Sequence, residues 1–336
     1  MKLLLKLVLL SIILLSIAVA AFLSEYHRFT STPLQVGEEG YVYTVESGSN
    51  LLKISQDLQT IGLSELPNQY LYVYGRLEGK AHLIKAGEYL IKTNTTSPQF
   101  LDQLIAGQVV QYPFTIIEGM TAQQLVDMVI ADKRFISTLT EASLTEVMEA
   151  VDHGDNHGEG EFAPQTYYFS AGTTDVEILS RAYTLMELNL EQLWENKAEG
   201  LPYKTPYEAL IMASIIEKET GIAEERAQIA GVFVRRLDKG MRLQTDPTVI
   251  YGMGDSYNGN IRRKDLRTDT AYNTYTRYGL PPTPIALPSK AAIEAALHPA
   301  EGKSLYFVAT GQDGRHAFSD TLAAHNKAVR KYQLKK

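Results

Sequence analysis

The chain opens on a long apolar run. Residues Leu3 to Leu23 are apolar except for Lys6, Ser11 and Ser16, and no charge interrupts Leu7 to Leu23. That stretch reaches the lower limit, about 17 residues, for a helix crossing a bilayer. Lys2 and Lys6 precede it, so the positive-inside rule puts residues 1–6 in the cytoplasm and everything after the run outside. A cleaved secretory signal is the competing reading, since Ala18-Val19-Ala20 fits a cleavage site. The apolar run continues past it to Phe22-Leu23, which favours an uncleaved anchor over residues 7–23. Both readings export the chain. Residues 24–40 are mixed and polar, with Pro33 and Gly37, and are expected to form a tether.

Beyond the tether the period of the pattern changes. Tyr41 to Val45 is β-branched and aromatic, as in a strand. Ser47-Gly48-Ser49 breaks it, and Ser49 or Asn50 can cap a helix carrying Leu51, Leu52, Ile54, Leu58 and Ile61. A second amphipathic helix is predicted over 68–77 and a closing strand at Gly87 to Ile91. Residues 41–92 thus read as a β–α–α–β unit. The strand–glycine turn–helix pattern echoes at Phe114 to Val129 inside a connecting α/β region, 93–150. A glycine-rich polar loop, Asp152 to Gly160, introduces the third region, 151–336. It holds helical patterns at 176–197, 207–219, 227–237, 290–297 and 322–332, a strand at 305–309, and a loop-rich stretch from Arg242 to Leu287. Helices and strands are segregated, so the predicted class is α+β.

Composition narrows the function. The 336 residues carry a net charge of −7, which argues against a nucleic-acid partner. The absence of cysteine removes disulfides, thiolate catalysis and cysteine-bound metals. His153 and His157 sit in a glycine-broken segment unsuited to ligation from one helix turn, so no metal is expected. G-x-S-x-G, H-E-x-x-H and the P-loop are all absent from the sequence.

Two segments hold candidate chemistry. From Ala209 to Ile216 nearly every residue is apolar or small, so that helix is predicted to be buried on most sides. It ends in Glu217-Lys218-Glu219-Thr220. A carboxylate at the end of a buried helix is desolvated, which raises its pKa toward that of a general acid at neutral pH. A solvated helix end carries the same residues, and spacing does not choose between Glu217 and Glu219. The two acids point to opposite sides and cannot act as a carboxylate pair. The second segment, Leu243 to Gly252, brings Gln244, Thr245 and Asp246 together ahead of Pro247 and Tyr251. Asn273, Tyr275 and Tyr278 follow downstream. Aromatic faces with neutral hydrogen-bonding groups suit a sugar-binding cleft, and equally an ordinary tyrosine-rich loop.

Several of these runs resemble the endolytic murein transglycosylases of the YceG-like family. They are Ala213 to Thr220, Arg242 to Gly252, Thr270 to Tyr275, Gly279 to Pro282, His316 to Ser319 and His325-Asn326, with Glu159 to Pro164 and Thr166-Tyr167 upstream. The resemblance extends from about Tyr43 to the C-terminus. It implies a single-pass protein of the bacterial cytoplasmic (inner) membrane, with the catalytic domain on the periplasmic side. It implies a LysM-like subdomain at 41–92 and a catalytic domain at 151–336. It implies cleavage of peptidoglycan glycan strands between MurNAc and GlcNAc, leaving 1,6-anhydroMurNAc ends, without cofactor or metal. Glu217, first acid of the E-K-E trio, is then expected to be the general acid and base. Gln244, Thr245, Asp246, Tyr251, Asn273 and Tyr275 are expected to position the sugar. Glycan polymerases are implied as partners, and the ending of nascent strands as the role. Phe162-Ala163-Pro164 departs from the family, where a second aromatic is common. Two alternatives stay open: a hydrolytic muramidase activating water with Asp246, and a non-catalytic peptidoglycan-binding scaffold.

Overall fold

A computed structural model describes residues 2–140, 143–311 and 313–334. It divides into two compact units, one comprising residues up to Tyr112 with Tyr168–Gly172, the other Pro113–Tyr167 with residues from Thr173 onward.

The first unit begins with α1 (Lys2–Ser31), a helix long and apolar enough to cross a membrane. None of its apolar window is buried by protein. The helix runs eight residues beyond Leu23, so the expected tether from residue 24 is helical to Ser31. The reason is packing: Phe29 is buried in the core of this unit, between the rings of Tyr70 and Tyr74. The predicted β–α–α–β pattern then follows as β1 (Tyr41–Val45), α2 (Leu51–Thr60), α3 (Asn68–Leu77) and β2 (Gly87–Ile91). The Asn50 side chain accepts from Lys53 N at 2.9 Å and caps α2. β1 and β2 pair antiparallel with Tyr43 opposite Tyr89. Alternation puts Tyr43 and Val45 inside and Val42 and Thr44 outside. α4 (Ser97–Ala106), opened by a Thr96–Gln99 capping box, closes the core with Phe100, Leu101 and Leu104. At Gly75 the helices touch: a Cβ there would lie 2.2 Å from Leu51 Cδ2.

The chain leaves this unit through β3 (Tyr112–Thr115). α5 (Ala122–Ala131), α6 (Leu144–Ala150), β4 (Thr166–Phe169) and α7 (Asp175–Glu195) follow, with β3 and β4 forming a two-stranded sheet. The expected connecting region of 93–150 is therefore shared between the units, α4 in the first and residues from Pro113 in the second. Hydrogen bonds explain the division. Ile116 N donates to Gln165 O at 2.9 Å, Gly119 N to Leu287 O at 2.9 Å, and Ala122 N to the Glu159 carboxylate at 2.9 Å. These hold the segment to its own unit.

The remaining elements are α8 (Pro206–Glu219), α9 (Ala223–Asp238), α10 (Asp246–Met253), α11 (Lys290–Leu297), the hairpin of β5 (Tyr306–Ala309) and β6 (His316–Ser319), and α12 (Leu322–Tyr332). α8 is central. Thr205 caps it by accepting from Glu208 N, and Pro206 occupies the first turn, where no amide is missed. Every residue from Ala209 to Ile216 is buried, packed with Ile229, Phe233, Leu243, Ile293 and Leu297. The architecture is mixed α and β with small two-stranded sheets.

Candidate active site

The two acids at the end of α8 have different surroundings. Glu217 turns toward the start of α11. Its Oε2 accepts from Ser289 N at 3.0 Å and from Ser289 Oγ at 2.5 Å, and its Oε1 lies 3.8 Å from Arg226. The side chain is 6% exposed. Ser289 is itself the cap of α11, accepting from Ala292 N. Glu217 thus anchors a helix start and shares Arg226 with Glu118. Glu217 was expected to face the sugar; among the described residues its carboxylate is bonded to Ser289 at the N-terminus of α11, and it is not among the side chains lining the cavity described next.

Glu219 turns the other way, into a cavity of about 410 Å³. Its Oε1 accepts from the Thr245 hydroxyl, and that is its one side-chain hydrogen bond among the described residues. Burial pushes the carboxyl up to about 7, against the pull of the Thr245 hydrogen bond. The Asp246 charge adds to the rise, and His316 and Arg236 oppose it. A carboxyl at that value is a proton donor and acceptor in the neutral range.

The loop before α10 builds one wall. Gln244 has φ +52°, a left-handed conformation that a side-chain-bearing residue adopts at a cost of about 1–3 kcal/mol. It is held there by Gln244 N donating to Thr274 O at 3.1 Å and Thr245 N donating to Thr274 Oγ1 at 3.1 Å. The result points Gln244, Thr245 and Asp246 at one cavity. Asp246 accepts from the Tyr275 hydroxyl at 2.6 Å, and burial, with the Asp246 hydrogen bond, holds that phenol well above its ordinary value.

The opposite wall comes from β5, β6 and α12, through Tyr306, Phe307, His316, Leu322 and His325. Sequence reasoning had not placed these with the acid, nor Arg236. Arg236 is 8% exposed and donates to the carbonyls of Leu305 (2.7 Å) and Leu243 (2.7 Å), which joins the two walls. Arg236 follows the apolar run Ile229–Val234 of α9, beside Arg235. His316 donates its backbone N to Glu225 at 3.1 Å, with Nδ1 2.9 Å from the same carboxylate. His325 stacks on Tyr306, and burial lowers its pKa.

Of the residues expected to position sugar, Gln244, Thr245, Asp246 and Tyr275 line the cavity with Glu219. Tyr251 and Asn273 are not among its lining residues. The Tyr251 hydroxyl donates to Glu159 at 3.0 Å while its ring packs on Tyr272. The Asn273 amide donates to the carbonyls of Asp265, Leu266 and Thr268, and its Oδ1 accepts from Tyr275 N. It is fully used in shaping its own loop. Among the described residues no three His, Asp or Glu side chains are grouped to hold a metal ion. His153 instead stacks on Tyr183 at 4.1 Å.

A family profile described as YceG-like matches residues 43–331. This chain belongs to the YceG-like family. The YceG-like protein is 32% identical over 312 residues to the endolytic murein transglycosylase of Bacillus subtilis (strain 168), covering 86% of this chain and 83% of that one. It is 28% identical over 331 residues to the endolytic murein transglycosylase of Streptococcus pneumoniae serotype 2, covering 88% of this chain and 59% of the longer relative. A crystal structure of a yceG-like protein from Listeria monocytogenes superposes with a TM-score of 0.54 at 29% identity, over 87% of this chain and 99% of that one.

Proposed function

We propose that this YceG-like protein is an endolytic murein transglycosylase that cuts peptidoglycan strands between MurNAc and GlcNAc, with Glu219 as acid and then base. The names of its relatives support the activity. The observation that carries the residue assignment is Glu219 itself, which lines a polar, aromatic-walled cavity with its carboxyl held by the Thr245 hydroxyl and pushed up to about 7 by burial. The protonated carboxyl gives its proton to the glycosidic oxygen as the C1–O bond breaks. The C6 hydroxyl of the same MurNAc closes onto C1, and its proton returns to the Glu219 carboxylate. No water is consumed, and an internal hydroxyl has an effective molarity far above that of a second molecule. Gln244, Asp246 and Tyr275 hold the sugar in this reading, and Thr245 orients the acid.

The charge of Asp246 reaches Glu219, which keeps a hydrolytic muramidase as the second reading. Mass spectrometry of products from uncrosslinked glycan strands separates them. Anhydro ends from the wild type and none from Glu219→Gln support the lyase. Reducing ends, one water heavier, favour hydrolysis through Asp246. Binding without any cleavage returns the scaffold.

α1 anchors the chain in the cytoplasmic membrane with the residues after it on the outer side. The β1–α2–α3–β2 module is LysM-like and holds glycan. A site tied to the membrane meets strands as polymerases extend them, and its cuts end their growth.

A further inference from the structure

α3 has apolar residues on two faces. Leu71 and Gly75 face the core. Val73 and Leu77 face away, 49% and 81% exposed. Beside them the outer end of α1 brings Phe22 and Tyr26, 66% and 46% exposed, and the buried Phe29. Together these side chains line a groove of about 550 Å³ within the first unit. Its one carboxylate, Glu25, accepts from the Tyr70 hydroxyl at 3.2 Å and pairs with Arg28 at 3.4 Å. The groove therefore offers hydrocarbon and aromatic surface with its charge already partnered. An apolar face of this kind on a soluble module marks an interaction site.

The position of the groove along α1 identifies its occupant. A spanning helix needs about 20 residues. Counted from Leu7, where the uncharged run begins, α1 leaves the hydrocarbon between Leu23, where that run ends ahead of Glu25, and Tyr26. The α1 wall of the groove starts at Ala21 and ends at Phe29, straddling that level. Tyrosine is enriched at membrane–water interfaces, where its ring sits among the headgroups. Phe29, packed at 6.2 Å from Tyr70 and 5.4 Å from Tyr74, fixes α3 to α1 at the same depth.

We propose that lipid acyl chains of the outer leaflet fill this groove, so that α3 lies in the bilayer surface as an interfacial helix. This rests on the reading of α1 as a membrane anchor. The first unit then has a set height on the membrane instead of swinging on a tether, and the residues after it start from a defined level.

The natural chain has no cysteine, so single labels are clean. The full chain is made with Val73→Cys, Leu77→Cys, Leu14→Cys or Val42→Cys, nitroxide-labelled, and reconstituted in phosphatidylcholine–phosphatidylglycerol vesicles. Collision with oxygen and with a water-soluble nickel chelate then reads depth. Val73 and Leu77 are surface positions, so labelling them does not empty the core. The expected result is an oxygen-to-nickel ratio highest at Leu14, severalfold above Val42 at Val73 and Leu77, and lowest at Val42. A deep Leu14 with Val73 and Leu77 as aqueous as Val42 overturns the groove and spares the anchor. Shielding of Val73 and Leu77 from both probes means protein covers the groove, and also overturns it. An aqueous Leu14 means the anchor reading itself has failed, and the groove proposal with it.

Discussion

Replacing each acid at the end of α8 in turn gives opposite expected results. Glu219→Gln keeps the size and the acceptor for Thr245 but carries no transferable proton. General acid–base catalysis by a placed side chain is worth about 10²–10⁴-fold, or roughly 3–5 kcal/mol. Anhydro products should fall by at least about a hundredfold while thermal unfolding changes little. Glu217→Gln should do the reverse. Its side chain is 6% exposed and takes two hydrogen bonds from Ser289 beside Arg226. Hydrogen bonds to a charged group contribute about 1.5–3 kcal/mol, so losing that charge should lower stability by about 2 kcal/mol. For a unit of this size that is about 4–8 °C in Tm. Turnover, measured well below the melting range, should stay within a few-fold of wild type. Both variants are followed by mass spectrometry of cleaved strands and by calorimetry on the same preparations. An inactive Glu217→Gln of unchanged Tm, with an active Glu219→Gln, would refute the assignment drawn from the cavity.

The environment of Glu219 should be visible in the pH profile. With the carboxyl at about 7, activity needing its protonated form should fall tenfold per pH unit above that value. Asp246 raises that pKa, so Asp246→Asn should move the fall to lower pH; Thr245 lowers it, so Thr245→Val should move it higher. Movement of both in one direction would contradict the electrostatic account. Buried Glu159 is likewise pushed up to about 7, so the folded state holds a proton that the unfolded chain releases between about 4.5 and 7. Stability should fall as pH rises through that window and level off above it; Glu161 and Glu219, also pushed up to about 7, add to the slope, so Glu159→Gln should make the trend in Tm shallower without removing it. Gly75→Ala places a Cβ 2.2 Å from Leu51 and 3.2 Å from Leu101, and should destabilise the first unit by about 1–3 kcal/mol by chemical unfolding, despite alanine's helix propensity.

Local pattern determined much of this protein. The uncharged run from Leu7 dictates a helix long enough for a membrane, because it carries no charge and its two serine hydroxyls bond to carbonyls of their own helix. Alternation from Tyr41 to Val45, the capped spacing of Leu51, Ile54 and Leu58, and the unbroken apolar stretch from Ala209 to Ile216 each specify an element from neighbours within a few residues. The sequence also brought Gln244, Thr245 and Asp246 forward as a polar cluster. Tertiary structure decided what those residues meet. Glu217 and Glu219 differ by about 200° around the helix axis, so one faces away from whatever the other faces. Which of them meets a cavity depends on Ser289, far along the chain, closing one side, and on Thr245 and the β5–β6 hairpin leaving the other open. The partners of Asn273 and Tyr251, three loop carbonyls and Glu159, are apparent only after folding. Arg236 joins two walls through carbonyls of Leu243 and Leu305, and a carbonyl's availability is written in no side chain. Short-range periodicity sets elements, whereas a site is made by contacts between residues that the chain holds far apart.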